Sequence, residues 1–304
     1  MVRKRPAEGT SPEKPSLFPT ESSSRIAAKR IFLDWSRPAV DSLIEYLQTT
    51  VPTLPGEPQQ WDLSGYRVVL PTGWATRRFL SRLTDLAAER KLVLFPPEVI
   101  TVGRLAETLY DRRRPLADDT TCLLAWWAAI KEMAYADENL LRQIFPVYSY
   151  SMKPSHQLAL AQNLFSFHRE VLGAGYDCNA VLKAATNRDP DFPDRQRWEV
   201  LRTLEGYYRN ILQGCGLWDV HFARQEALAN NECHTDKHIL LVGLVDLPQI
   251  VRNMLRQLEG CVTALVIAPT SLHDRFDDLG CLIPERWQEL PVAIPPERIT
   301  VCQQ

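Results

Sequence analysis

Apolar residues recur along the chain in two rhythms. Short continuous runs come first. Ile31-Phe32-Leu33 predicts a strand, Asp34-Trp35-Ser36-Arg37 a loop, and Pro38 the start of a helix, where its missing N–H costs no hydrogen bond. Val40, Leu43, Ile44 and Leu47 give that helix one apolar stripe, and Pro52, Pro55, Gly56 and Pro58 close the unit in a loop. The next unit repeats the order. Tyr66 to Leu70 predicts a strand, Pro71-Thr72-Gly73 a turn, and Ala75 to Glu89 a helix with Phe79, Leu80, Leu83 and Leu86 inward. Pro96-Pro97 breaks the chain before a third strand at Val99 to Val102, and Leu105 to Tyr110 starts another helix. Strands alternating with helices predict a parallel sheet with right-handed crossovers.

From residue 111 to 235 the rhythm is helical throughout. Leu123, Leu124, Trp127, Ile130 and Met133 share one face; so do Leu158, Ala161, Leu164, Phe165, His168 and Leu172, and again Trp198, Leu201, Leu204, Tyr208 and Ile211, before Gly214 and Gly216. Strand character returns in the nearly continuous apolar run His238 to Val245, which predicts a buried central strand. A helix over Pro248 to Leu258, a buried strand over Val262 to Ala268 and a last strand over Arg298 to Cys302 complete the pattern. The expected organisation is a tail at 1–28, one α/β domain from 29–110 plus 236–304, and an all-helical insertion at 111–235. The sheet then closes around the insertion. The last strand reads as one whose continuation is missing, so the chain is expected to stop in mid-domain.

Composition changes this reading little. A formal charge of −2 over 304 residues gives no overall drive toward nucleic acid or anionic membrane, so any such contact must be local. Arg77, Arg78 and Arg82, and then Arg112, Arg113 and Arg114, are local basic clusters. Seven scattered cysteines without a CxxC point to reduced thiols rather than a disulfide framework. No run approaches the roughly 20 apolar residues of a membrane span, and no hydrophobic leader core stands at the N-terminus, so a soluble, cytoplasmic protein is expected. The Pro-, Ser-, Lys- and Glu-rich residues before 28 read as a disordered tail, and Arg3-Lys4-Arg5 as part of its solvated charge.

Parallel sheets bind ligands at the carboxyl ends of their strands, so the chemistry is sought there. A phosphate-cradling loop needs glycines, whose backbone N–H groups close on the phosphates, and a lysine for their charge. The loop Asp34-Trp35-Ser36-Arg37-Pro38 has neither, and Arg37 reads as a surface arginine before it reads as an anion contact. An ATPase wants an acidic pair at the end of its partner strand to hold Mg²⁺. Here a lone Asp246 stands ahead of Pro248, where a helix-capping role outweighs metal binding. Cys233, His234, Asp236 and His238 are metal-ligand types, but His238 leads into a strand, so the four-residue spacing of the two histidines does not put both rings on one face. There is no GxSxG. The pairs Asp118-Asp119 and Asp277-Asp278 read as solvated loops, and Trp126, Trp127 and Trp198 as core. No complete catalytic site, metal site or cofactor site is expected in the chain. The most suggestive group is Thr72 and Gly73 after a strand, followed by Arg77 and Arg78 in the first turns of a helix: N–H groups, a hydroxyl and two guanidiniums suited to phosphate. Thr101 follows the third strand in the same way. Turn residues beside a solvated helix face account for the same pattern equally well.

The run from Tyr66 through Pro71-Thr72-Gly73 to Leu80, then Pro96-Pro97-Glu98-Val99-Ile100-Thr101-Val102-Gly103-Arg104-Leu105, then His238 to Pro248, resembles in order and spacing the N-terminal helicase-like region of AddB/RexB-type subunits. These belong to bacterial ATP-dependent helicase–nucleases that process double-strand breaks. The resemblance spans residues 30–304. It implies a RecA-like domain, a degenerate relative of P-loop NTPases, with a helical insertion as in the 1A and 1B domains of UvrD-type helicases. The Pro71-Thr72 turn is then a DNA-contacting element. Arg37 and Asp246 mark the emptied nucleotide-site positions, without the family's Gly, Lys and acidic pair. The expected partners are single-stranded or end DNA and an AddA-like helicase–nuclease subunit that hydrolyses ATP. The family's PD-(D/E)XK nuclease domain has no counterpart here, so the chain is expected to be either the N-terminal piece of a longer subunit or a stand-alone remnant, and not to cut DNA. Two other readings stand beside it: an α/β nucleotide-binding enzyme using the strand ends near Asp34 and Asp246, and a protein-interaction module built on the helical insert.

Overall fold

A computed structural model describes residues 28–288 except Glu57, Tyr150 and Glu259. The tail and the strand expected at Arg298 to Cys302 lie outside the described residues. The elements run β1 (Lys29–Leu33), α1 (Ala39–Thr50), β2 (Gln60–Asp62), β3 (Tyr66–Leu70), α2 (Gly73–Glu89), β4 (Val93–Phe95), β5 (Glu98–Thr101), α3 (Val102–Leu105), α4 (Asp119–Arg142), α5 (Pro154–Gly173), α6 (Cys178–Arg188), α7 (Arg195–Gly214), α8 (Val220–Ala229), β6 (His238–Val242), α9 (Gln249–Arg256), β7 (Val262–Ile267) and α10 (Pro284–Gln288). The chain divides into two compact units.

The larger unit, within residues 28–122, 166–175 and 212–288, holds an all-parallel five-stranded sheet in the order β1-β7-β6-β3-β5. The chain steps outward from β1 to β3 and β5, then returns through β6 to β7. Right-handed crossovers place the helices of the outward and return runs on opposite faces, and strand alternation supplies each face with its own apolar side chains. Leu43, Ile44 and Leu47 of α1 and Phe79, Leu83 and Leu86 of α2 pack on Val68, Leu70, Leu240, Val242 and Leu265. Ile250, Val251, Met254 and Leu255 of α9, with Leu105, Trp218 and Ala223, pack on Val69, Ile100, Ile239 and Leu241. The molecule is therefore α/β, with a doubly covered parallel sheet.

Two departures from the expected elements have local causes. The strand predicted to run to Val245 ends at Val242, because Gly243 takes a left-handed φ of +57° and turns the chain out of the ladder. The helix predicted from Leu105 to Tyr110 is a single turn at Val102–Leu105 followed by a 3-10 turn at Ala106–Thr108. A second, two-stranded parallel sheet joins β2 to β4, and each of its strands is too short to show a period.

The smaller unit, within residues 123–165 and 176–211, is helical. Trp126 is buried there and stacked on Tyr208, with ring centroids 4.3 Å apart. Trp127 is half-buried and donates its indole N–H to Gln157 at 3.1 Å. Among the described residues no helix is long and apolar enough to cross a membrane.

Candidate functional site

β3 and β6 are neighbours in the sheet, yet their following helices α2 and α9 leave toward opposite faces. That divergence opens a crevice at the carboxyl ends of the strands. On the α1/α2 side it is a cleft of about 560 Å³. Leu70, Val242, Gly243 and Ile267 contribute from the strand ends, Pro38, Ala39, Val40 and Leu43 from α1 and its approach, and Pro71, Trp74, Ala75 and Arg78 from α2 and its approach. Apart from Arg78 and the Trp74 indole the lining side chains are hydrocarbon. A second groove of about 470 Å³ shares Pro38, Val40, Trp74 and Arg78 and continues between the outer faces of α1 and α2, where Arg77, Ser81 and Arg82 line it together with Asp41 and Asp85.

Thr72 shapes the mouth. Its hydroxyl accepts from the Ala75 N–H at 3.2 Å, which makes it the N-cap of α2 and starts the helix where β3 ends. Gly73 follows. A Cβ added there would meet only the Arg77 guanidinium, at 3.8 Å, so Arg77 lies back over the first turn. Arg78 sits above the Trp74 ring, its guanidinium carbon 5.5 Å from the centroid. Trp74 itself is 64% exposed, and both arginines are exposed. Among the described residues neither Arg77 nor Arg78 forms an ion pair, whereas Arg82 reaches Asp41 at 3.5 Å and Glu89 at 3.6 Å.

The structure thus brings Thr72, Gly73, Arg77 and Arg78 together. Thr101 lies one strand away, in register with Leu70, and takes the N-cap position of α3 without a side-chain cap bond. Arg37 and Asp246, the positions the resemblance marks for a nucleotide site, do not join the group. Arg37 turns back along α1 to Glu45 at 2.5 Å. Asp34, earlier in the same loop, accepts from the Ser36 N–H at 2.7 Å, a bond that holds its carboxyl below the ordinary range. Asp246 corrects the capping expectation: the N-cap of α9 is Pro248, which has no side-chain cap bond. The Asp246 carboxylate instead accepts from its neighbour's N–H, Leu247, at 2.7 Å and lies 3.4 Å from Arg252, which is itself held by Asp277.

The cysteine–histidine stretch is dispersed. Cys233 is buried in the core and its N–H donates to Gln257. His234 stands 3.6 Å from Asp111. His238 shares a 2.9 Å hydrogen bond with Thr263 and packs edge-on to Tyr66, and burial, with Lys29 nearby, lowers its pKa.

Sequence reasoning passed over Trp74. Its signal was a large apolar residue at the second position of a helix, off the stripe of Phe79, Leu83 and Leu86. Comparison with known protein families and with curated proteins finds no match for the chain.

Proposed function

We propose that this chain is a RecA-like, ATPase-silent, DNA-engaging scaffold of an AddB/RexB-type helicase–nuclease, acting beside a separate subunit that hydrolyses ATP. The single observation that carries this reading is the carboxyl edge of the sheet. Where a nucleotide's phosphates would need a cradle, the chain places a hydrocarbon cleft, with Arg37 and Asp246 committed to Glu45 and Arg252. Beside that cleft, in the first turns of the capped helix α2, stand two guanidiniums with no carboxylate partner among the described residues. Desolvating a triphosphate against hydrocarbon is costly, whereas exposed arginines suit phosphates that stay in water. The strand order supports the same reading. β1, which the resemblance makes the phosphate-loop strand, is separated from β6, which it makes the acidic-motif strand, by the single strand β7 in an all-parallel sheet consistent with a RecA-like α/β fold.

The test is a titration of fluorescent single-stranded DNA with the chain across a salt series, paired with an ATPase assay on DNA. The expected result is binding whose log affinity falls linearly with log salt. The double change Arg77→Ala, Arg78→Ala should flatten that slope by about 1.4, at roughly 0.7 per phosphate contact on a single strand. Absence of DNA binding at low salt, or ATP hydrolysis at an ordinary helicase rate, defeats the proposal.

A further inference from the structure

We infer that the outer face of α4, from Leu124 to Tyr135, is where two copies of this chain associate, their α4 helices packed antiparallel about a twofold axis between Lys131 and Glu132.

A surface helix of a globular protein turns an apolar stripe inward and charged side chains outward. α7 follows that rule: Arg195, Arg197, Glu199 and Arg202 are exposed while Val200, Leu204 and Tyr208 are buried. α4 does not follow it. Its inward stripe is Ala125, Trp126, Ala129, Ile130 and Met133, all buried. Yet from Leu123 to Ala136 the only charged residues are Lys131 and Glu132. The outward face carries Leu124, Ala128, Lys131 and Tyr135, spaced four, three and four residues apart and so aligned on one side of the helix. Leu124 is 47% exposed and Tyr135 87%. Half-buried Trp127 borders them, and the Lys131 ammonium lies 5.1 Å from its ring centroid. Aromatic and aliphatic side chains with few charges among them are the composition of an interface core rather than of a wetted surface. Non-helical φ and ψ at Asp137 end the regular part of the helix, so the face is about three turns long.

The face is complementary to itself. An isologous contact makes every pairing twice, once in each direction. In an antiparallel pairing centred between Lys131 and Glu132, each Tyr135 lies over the small Ala128 of the second copy, and each Lys131 stands within reach of its Glu132. Large meets small and cation meets anion in one register. Among the described residues neither Lys131 nor Glu132 forms an ion pair within its own chain. An unrelated acidic partner would answer Lys131 and repel Glu132, whereas a second copy answers both. Three turns of helix fall short of the roughly 800 Å² per partner of a standard interface, so the dimer is a weak one.

Sedimentation velocity of the full chain, over a concentration series up to about 100 µM, reads such an association. The wild-type chain should shift from monomer toward dimer as concentration rises. Lys131→Glu gathers two carboxylates from each copy at the axis, and Glu132→Lys two ammoniums; either should weaken association about tenfold. The double change Lys131→Glu, Glu132→Lys re-forms both pairs with the signs exchanged and should restore it. Tyr135→Ala should weaken association about tenfold without altering charge. All three positions are exposed, and circular dichroism checks that each variant keeps its helices. If the wild-type chain is monomeric throughout, or if the single reversals leave a dimer unchanged, the inference fails. It fails too if the double change associates no better than the single ones, because rescue by exchange is what the twofold register requires.

Discussion

Gly243 shows how one residue shapes the site. With φ at +57° it takes the chain out of β6, and a Cβ added there would approach Ile267 Cγ1 to 3.1 Å, so both the turn and the cleft wall depend on the missing side chain. A second residue-scale effect lies away from the cleft. His221 in α8 is pushed down to about pKa 4, first by burial and then by Arg224, His168 and Arg169, with Asp219 opposing. In the unfolded chain the imidazole titrates near ~6.5. Above that pH neither state carries the proton. As pH falls toward 4 the unfolded state takes it up and the folded state does not, so His221 withdraws up to about 3 kcal/mol of stability across that window. Urea unfolding at neutral pH and again near the lower end of the window should show His221→Gln losing less stability on acidification than wild type. An identical loss in both would remove His221 from the account.

Among the elements, α2 does the most for the site. Its N-cap Thr72 sets where the helix starts, and that start fixes the position of Trp74, Arg77 and Arg78 relative to the strand ends. Thr72→Ala should cost about 1 kcal/mol in chemical denaturation, the usual loss for an N-cap, and Thr72→Ser should recover most of it. α9 contrasts with it: capped by Pro248 without a side-chain bond, it leaves Asp246 to pair with Arg252. The longer elements were legible because their apolar spacing is long enough to show a period; β3, β7, α1 and α2 stand within about two residues of where that spacing puts them. β2 and β4 were not, because three residues cannot show an alternation and their pairing joins segments about thirty residues apart.

For the molecule as a whole, the strand order decides both stability and site. β7, β6 and β3 are covered on both faces and paired on both edges, while β1 and β5 end the five-stranded sheet. Native-state hydrogen exchange should therefore find the amides of His238–Val242 and Val262–Ile267 among the slowest in the chain, and those of Lys29–Leu33 distinctly faster. Equal protection across the sheet would mean that it opens only as one unit.

Periodicity and composition by themselves determined the α/β class, the helical middle of the chain, and the candidates Thr72, Gly73, Arg77 and Arg78, because apolar spacing, turn residues and charge are properties of neighbours along the chain. That β7 lies between β1 and β6, that α2 and α9 diverge, and that Trp74 faces water beside a hydrocarbon cleft were decided only by the tertiary structure. These depend on which strands pair across long separations, and the energies that choose those pairings come from burial on both faces of the sheet at once, which no local stretch of sequence records.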